Sequence, residues 1–500
     1  MLDADPRVST GITGLDEILQ GGLTPDRLYL VEGMPGAGKT TLALQFLLAG
    51  VRLGEPVLYV TLSETTEELR AVAASHGWTL DGIEMFELGA AEEVLGDGRH
   101  QTLLHPWEVE LGETVRLITD EVTRISPRRV VFDSLSEMRL LAQDPLRYRR
   151  QILGLKQFFS GRNSTVLLVD DLAGTPEGRD AHLHSLCHGV ITLERLTLEF
   201  GAARRRVEVQ KLRGVAFQAG YHDMLIRRGG LDIFPRLVAT GQHEPFVGEP
   251  VSSGSDELDA LLGGGPLRGT STLVLGPAGT GKTTLALQYV HAACARGEKV
   301  ATYQFDERIG TLLARARAMN MDLAPFMAAG LLDLRQVDPA ELTPGQFTAA
   351  VRDATEQGAR LIVVDSIAGY LSAMPQEKQI LLHLHELLSY LNQRGVLTIL
   401  VHPQTGMMAG MSNMALNVSF MADAVLLLRF FEAGGRIRKA ISVVKNRGGP
   451  HEDAIRELRV DEQGFRVGAP LTQFRGILTG TPTYVGEGGP LLEARSGDAV

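Results

Sequence analysis

The stretch GMPGAGKTTLALQF, residues 33–46, recurs as GPAGTGKTTLALQY at residues 276–289. Each copy satisfies GxxxxGK[ST] in full, directly after an apolar run (RLYLVEG, TSTLVLG) and at the opening of a helix-like segment. Glycines at this spacing let the backbone wrap closely around phosphates and aim its N–H groups inward, and the helix N-terminus adds positive potential. The pattern predicts two phosphate loops. Gly33, Gly36 and Gly38 form the first cradle, and Gly276, Gly279 and Gly281 the second. Lys39 and Lys282 are expected on the β and γ phosphates and Thr40 and Thr283 on Mg2+, with Thr41 and Thr284 next in each loop.

Outward from the loops the halves stay in register. GITGLDEILQGGL precedes the first loop and SSGSDELDALLGGGPLRG the second. PVLYVTLSETTEELR aligns with KVATYQFDERIGTLL, RRVVFDSLSEMRLL with ARLIVVDSIAGYL, and VEVQKLRG with ISVVKNRG. Such self-similarity marks a duplicated unit. Within each half, continuous Val, Ile and Leu runs alternate with amphipathic segments such as KQILLHLHELLSYLNQRG. That alternation predicts an α/β fold of two tandem RecA-like P-loop domains, each a mostly parallel sheet with helices on both faces. Pro and Gly cluster in PRLVATGQHEPFVGEP, residues 235–250, so the expected domains are residues 1–240 and 241–475. The Gly-rich, polar end, residues 476–500, reads as a flexible tail.

Composition narrows the class. The 500 residues are 44% hydrophobic and 22% charged, as in soluble globular chains, and suffice for two full cores. The only cysteines, Cys187 and Cys294, lack ligand spacing and suggest neither a disulfide framework nor a zinc site. The N-terminus carries acids where a signal peptide has a basic region, and no uninterrupted apolar run is long enough to span a membrane, so a cytoplasmic location is expected. A formal net charge of −11 argues against a polyanionic partner.

Further residues complete each expected site. The runs VVFD and IVVD place Asp133 and Asp365 at the carboxyl edge of a sheet, where they hold Mg2+ through water. Hydrolysis needs a group that orients and deprotonates water. The candidates end the next strand of each half: Glu64, with Ser63 before it, and Glu307, preceded by Asp306. Helix capping is the competing role for these positions, which Thr65 and Asp306 also suit. The basic tetrads KLRG and KNRG bring Lys211, Arg213, Lys445 and Arg447 late in each half, too far along the sheet to serve their own loop. They suit a neighbour's γ-phosphate, where a cation supplied in trans accelerates transfer.

This order of elements resembles the KaiC family of duplicated RecA-like ATPases, whose founding member is a circadian clock kinase. The resemblance rests on GLDEIL, both loops, the acid before each second-strand helix, Asp133-Ser134, Asp365-Ser366, both K-x-R-G tetrads and EDAIRELRV. It implies a homohexameric double ring with ATP at subunit interfaces, K-x-R pairs reaching the adjacent protomer, and slow hydrolysis in the first ring. It also implies Ser/Thr autokinase activity in the second ring, with the paired acids Asp306 and Glu307 as base, and a KaiB-like or signalling-protein partner. The first half has Ser63-Glu64 instead of two acids. At the family's adjacent Ser-Thr acceptor pair this chain has Ser419-Phe420, and a nearby family threonine is replaced by Met414, leaving Ser419 as the candidate phosphoacceptor.

Two other classes share these motifs. A RecA-type recombinase or helicase would use channel loops at LAGTPEGRDAHLHSLCHG and HPQTGMMAGMSNMALNVS, but the second has no Lys or Arg and the first one Arg against two acids. DNA affinity needs several phosphate-neutralising charges. A signalling scaffold with slow turnover would use the same site residues and differ in output. The methionines at 407–414 read as interface or core filling, and His383 and His385 point to different helix faces, away from a shared metal with His402.

Overall fold

The computed structural model describes residues 6–88, 106–142, 144–172, 181–197, 201–238, 248–372, 380–404, 418–462, 464–478 and 482–485. The chain divides into two compact units, Met1–Arg236 and Leu237–Val500.

The strands of the first unit are β1 (Leu28–Gly33), β2 (Val57–Thr61), β3 (Ile83–Glu87), β4 (Arg129–Asp133), β5 (Thr165–Asp171), β6 (Gly189–Leu196), β7 (Arg204–Leu212), β8 (Tyr221–Arg227) and β9 (Gly230–Phe234). They form one sheet in the order β3-β2-β4-β5-β1-β6-β7-β8-β9. Pairings from β3 through β6 are parallel and those from β6 to β9 antiparallel.

In the second unit the strands are β10 (Ser271–Gly276), β11 (Lys299–Gln304), β12 (Leu332–Gln336), β13 (Ala359–Asp365), β14 (Leu397–Pro403), β15 (Ala424–Ala433), β16 (Arg436–Asn446), β17 (Arg456–Asp461) and β18 (Gly464–Pro470). Their order, β12-β11-β13-β14-β10-β15-β16-β17-β18, is that of the first sheet. Both sheets are mostly parallel, as expected, with antiparallel ends at β6–β9 and β15–β18.

Why the strands read as unbroken apolar runs is visible in the cores. Tyr29, Val31, Val57, Tyr59, Val131, Leu167 and Val169 enter one cluster, and their neighbours Leu28, Leu30, Leu58, Val60, Val130, Phe132, Val166 and Leu168 enter another. Successive side chains point to opposite sheet faces, and helices cover both. The second sheet divides in the same way, with Val274, Val363 and Ile399 on one face and Leu273, Ile362 and Leu400 on the other.

Beyond residue 470 the chain stays packed further than the polar composition of the tail suggests. Ile477 is buried against a cluster with Phe431 and Leu471, and the ring of Tyr484 lies 5.3 Å from that of Phe474. Of the expected tail, residues 479–481 and 486–500 lie outside the described residues, as do Met407–Met414, with the rest of residues 405–417, and residues 173–180 of the first channel segment. No described helix is long and apolar enough to cross a membrane.

Candidate nucleotide sites

Strand order brings four chain segments to one carboxyl edge in each unit. In the first sheet Gly33 is level with Asp171, Asp133 with Val169, and Thr61 with Asp133. In the second, Gly276 is level with Pro403, Asp365 with Val401, and Gln304 with Asp365. Ligands of open α/β sheets bind outside this edge.

Each loop turns into its helix through a left-handed glycine, Gly38 at φ 110° and Gly281 at φ 107°. Only glycine adopts this conformation freely. At Gly33 an added Cβ would lie 2.3 Å from the Leu193 carbonyl oxygen, and at Gly276 it would lie 2.6 Å from that of Leu428, so strand packing also demands glycine. The helices Lys39–Arg52 and Lys282–Ala295 begin directly on the loop lysines, with first-turn N–H groups facing the cradle. Gly36 and Gly279 complete the turns, also at positive φ, and Thr41 and Thr284 are buried.

The residues expected around Mg2+ lie together in both units. Thr40 Oγ1 donates to Asp133 Oδ2 at 3.0 Å, and Thr283 takes the corresponding place beside Asp365, where it opposes the rise of that carboxyl's pKa. Tyr59, which the sequence reading overlooked, donates its hydroxyl to the same Asp133 oxygen at 2.5 Å. Burial pushes the Asp133 carboxyl up from its ordinary value. Burial, with Asp306 nearby, raises Asp365 to about 6. The peptide after each aspartate is cis.

Glu64 faces this group. Burial first, then the charges of Asp133, Glu68 and Asp171, raises its pKa, and its Oε2 is buried with no hydrogen-bond partner. The capping role falls instead to Thr65, which forms a capping box with Glu68 on helix Thr66–Ser75. In the second unit Asp306 and Glu307 part company. Asp306 accepts from Ser366 Oγ at 2.6 Å, and its charge acts on both Asp365 and Lys282. Glu307 is bound by Arg315 of helix Ile309–Ala318 at 2.8 Å. The N-cap position of that helix is Arg308, which makes no side-chain cap.

The lysines differ more than the loop sequences do. Lys39 donates to the carbonyls of Gly33 and Met34 at 2.9 and 3.2 Å and forms an ion pair with Asp171 at 2.6 Å. Lys282 donates to the Pro277 carbonyl at 2.8 Å. Behind the first loop, buried Glu32 accepts from Thr192 at 3.0 Å and lies 2.8 Å from His184 Nε2. The corresponding strand positions in the second unit are Leu275 and Leu427.

The basic tetrads sit at the opposite edge. Lys211 pairs with Val190, which is level with Leu30, while Gly33 pairs with Leu193, so Lys211 lies ~10 Å along the strands from its own loop at about 3.3 Å per residue. Lys211 Nζ donates to the carbonyls of His184 and Cys187, and Arg213 to that of Ser185. Lys445 Nζ likewise donates to the carbonyls of Ser419 at 2.9 Å and Ala422 at 2.5 Å, and the Arg447 N–H to that of Asp423. Neither tetrad reaches its own phosphate loop.

Comparison with known proteins agrees with this duplicated arrangement. The sequence profile of the family described as ATPase: KaiC matches residues 8–238 and again 251–472. The chain belongs to the KaiC family. Among curated KaiC relatives, it is similar to the circadian clock protein KaiC3 of Synechocystis sp., 27% identical over 97% of this chain and 96% of the relative. It is also similar to the circadian clock oscillator protein KaiC of Synechococcus elongatus, 27% identical over 96% of this chain and 92% of the relative. Membership of the KaiC family makes the chain a tandem RecA-like ATPase of the ATP-binding P-loop class.

Proposed function

We propose that the chain binds Mg-ATP at both phosphate loops and hydrolyses it, within a homohexameric ring in which Lys211, Arg213, Lys445 and Arg447 act on the neighbouring protomer's nucleotide. The observation carrying this reading is the repeated contact of loop threonine and strand-end aspartate, Thr40 to Asp133 and Thr283 to Asp365, beside a lysine folded into its loop. These oxygen donors fit a hard divalent cation, and Mg2+ held there would draw charge from the β and γ phosphates. Lys39 and Lys282 bind phosphate oxygens, and the N–H groups from Gly36 to Thr41 and from Gly279 to Thr284 orient them.

In the first unit Glu64 orients the attacking water and takes its proton, a role its raised pKa suits. In the second, Asp306 is the nearer base, because Arg315 draws Glu307 aside. The distance of each K-x-R pair from its own loop supports action in trans. Phosphate release from the full chain tests the reading. Lys39→Ala and Lys282→Ala should each remove part of the turnover and the double variant all of it; turnover surviving in the double variant would overturn it.

A second reading, phosphotransfer to Ser419, is favoured by the bond from Lys445 to the Ser419 carbonyl, which sets this half-buried serine beside a cation assigned to a γ-phosphate. Incubation with γ-labelled ATP and phosphate mapping tests it: label at Ser419 supports an autokinase, and free phosphate alone refutes it. The relatives' names, circadian clock protein and circadian clock oscillator protein, suggest a clock-like or signalling setting, and a KaiB-like or other signalling protein is the partner that the family resemblance implies.

A further inference from the structure

Asp171 ends β5, the strand that parallels β1, and Gly33 is its register partner. Its place is fixed by backbone: the Leu172 N–H donates to the Gly33 carbonyl at 3.1 Å, and the Asp171 N–H to Ser136 Oγ at 3.3 Å. The carboxylate meets Lys39 Nζ at 2.6 Å, with the lysine side chain 8% exposed and the aspartate 37%. An ammonium has three donors. Those of Lys39 are matched by Asp171, the Gly33 carbonyl and the Met34 carbonyl, so a phosphate oxygen must displace one of them. The aspartate is the partner that carries charge and opens to solvent, and it stays beside the polyphosphate after displacement.

The second unit holds the same backbone geometry without the carboxylate. The Gln404 N–H donates to the Gly276 carbonyl at 2.9 Å, as Leu172 does to Gly33, and the residue level with Gly276 is Pro403. Among the described residues Lys282 has the Pro277 carbonyl as its acceptor, which leaves donors for phosphate.

We propose that Asp171 is a latch on the first phosphate loop, an ion-pair partner that nucleotide must displace from Lys39, so that the first site binds nucleotide more weakly than the second. The latch makes occupancy of the first site the more sensitive to nucleotide concentration. The proposal rests on nucleotide binding at both loops, and that reading fails separately if neither single-site parent below takes up nucleotide.

The test is calorimetric titration of the full-length chain with Mg-ADP. In a Lys282→Ala parent, where the first loop alone is intact, Asp171→Asn keeps the shape and removes the charge; it should tighten binding on the order of tenfold. In a Lys39→Ala parent, Pro403→Asp should weaken second-site binding by a similar factor. Structural damage lowers affinity, so tighter binding by Asp171→Asn is not a trivial outcome. Unchanged or weaker binding in Asp171→Asn overturns the latch. Should that variant fail to fold, the Pro403→Asp titration decides: weaker binding supports the latch, and unchanged binding refutes it.

Discussion

Replacing Asp306 by Asn and Glu307 by Gln separates two adjacent carboxylates that sequence alone treats as a pair. Asp306 faces Lys282 and Asp365 and is held by Ser366 at 2.6 Å. A positioned general base contributes about 10²- to 10⁴-fold to a rate. At about 1.4 kcal/mol per tenfold, Asp306→Asn should raise the second-site barrier by ~3–5 kcal/mol. Asn keeps an acceptor for Ser366 Oγ, so nucleotide affinity should change only a few-fold.

Glu307 instead sits in an ion pair with Arg315 whose side chains are 23% and 39% exposed. Such half-exposed pairs contribute ~1 kcal/mol at most, so Glu307→Gln should slow turnover less than about sixfold. The assay is single-turnover phosphate release in a Lys39→Ala background, with nucleotide affinity measured in parallel. A large loss in Glu307→Gln with near-normal turnover in Asp306→Asn would refute the assignment of the base.

Other outcomes follow from particular contacts. In rings mixed from Lys211→Ala chains and chains lacking the first loop lysine, turnover should track heterotypic interfaces; independence from mixing would contradict action in trans. Arg129 is 1% exposed, pairs with Glu55 at 2.5 Å and donates to the carbonyls of Ser9 and Phe46, so Arg129→Ala should destabilise the first unit by ~3–5 kcal/mol in a denaturation experiment. Burial, reinforced by Lys156, Arg27 and Arg213, holds the pKa of His188 down at about 4 against an ordinary 6.5. The unfolded chain therefore binds the extra proton between these values, and stability should fall as pH drops from 6.5 to 4. His188→Gln should flatten that part of the profile, and an unaltered slope would exclude His188 as its source.

How much of this was legible in the sequence depends on how local each feature is. The loops are local: glycine, lysine and threonine at fixed spacing specify both geometry and ligand. Asp133 and Asp365 are nearly so, because an apolar run ending in an acid places the carboxylate at a strand end. Asp171 escaped notice because its meeting with Lys39 depends on β5 lying beside β1, a consequence of strand order rather than spacing. The sequence counts one carboxylate at Ser63-Glu64 and two at Asp306-Glu307, yet Asp171 adds a second acid to the first site and Arg315 draws Glu307 from the second. Glu32 was hidden for a different reason. It lies in a strand that reads as apolar, and only the tertiary fold supplies Thr192 and His184 as its partners.

The claim that two nucleotide sites of one ancestry operate in each chain is tested most directly by counting bound nucleotide. Equilibrium dialysis of the full-length chain with Mg-ADP should give two nucleotides per chain, falling to one in either Lys39→Ala or Lys282→Ala and to none in the double variant. One nucleotide per chain in the unaltered protein at saturation, or binding that survives in the double variant, would contradict it.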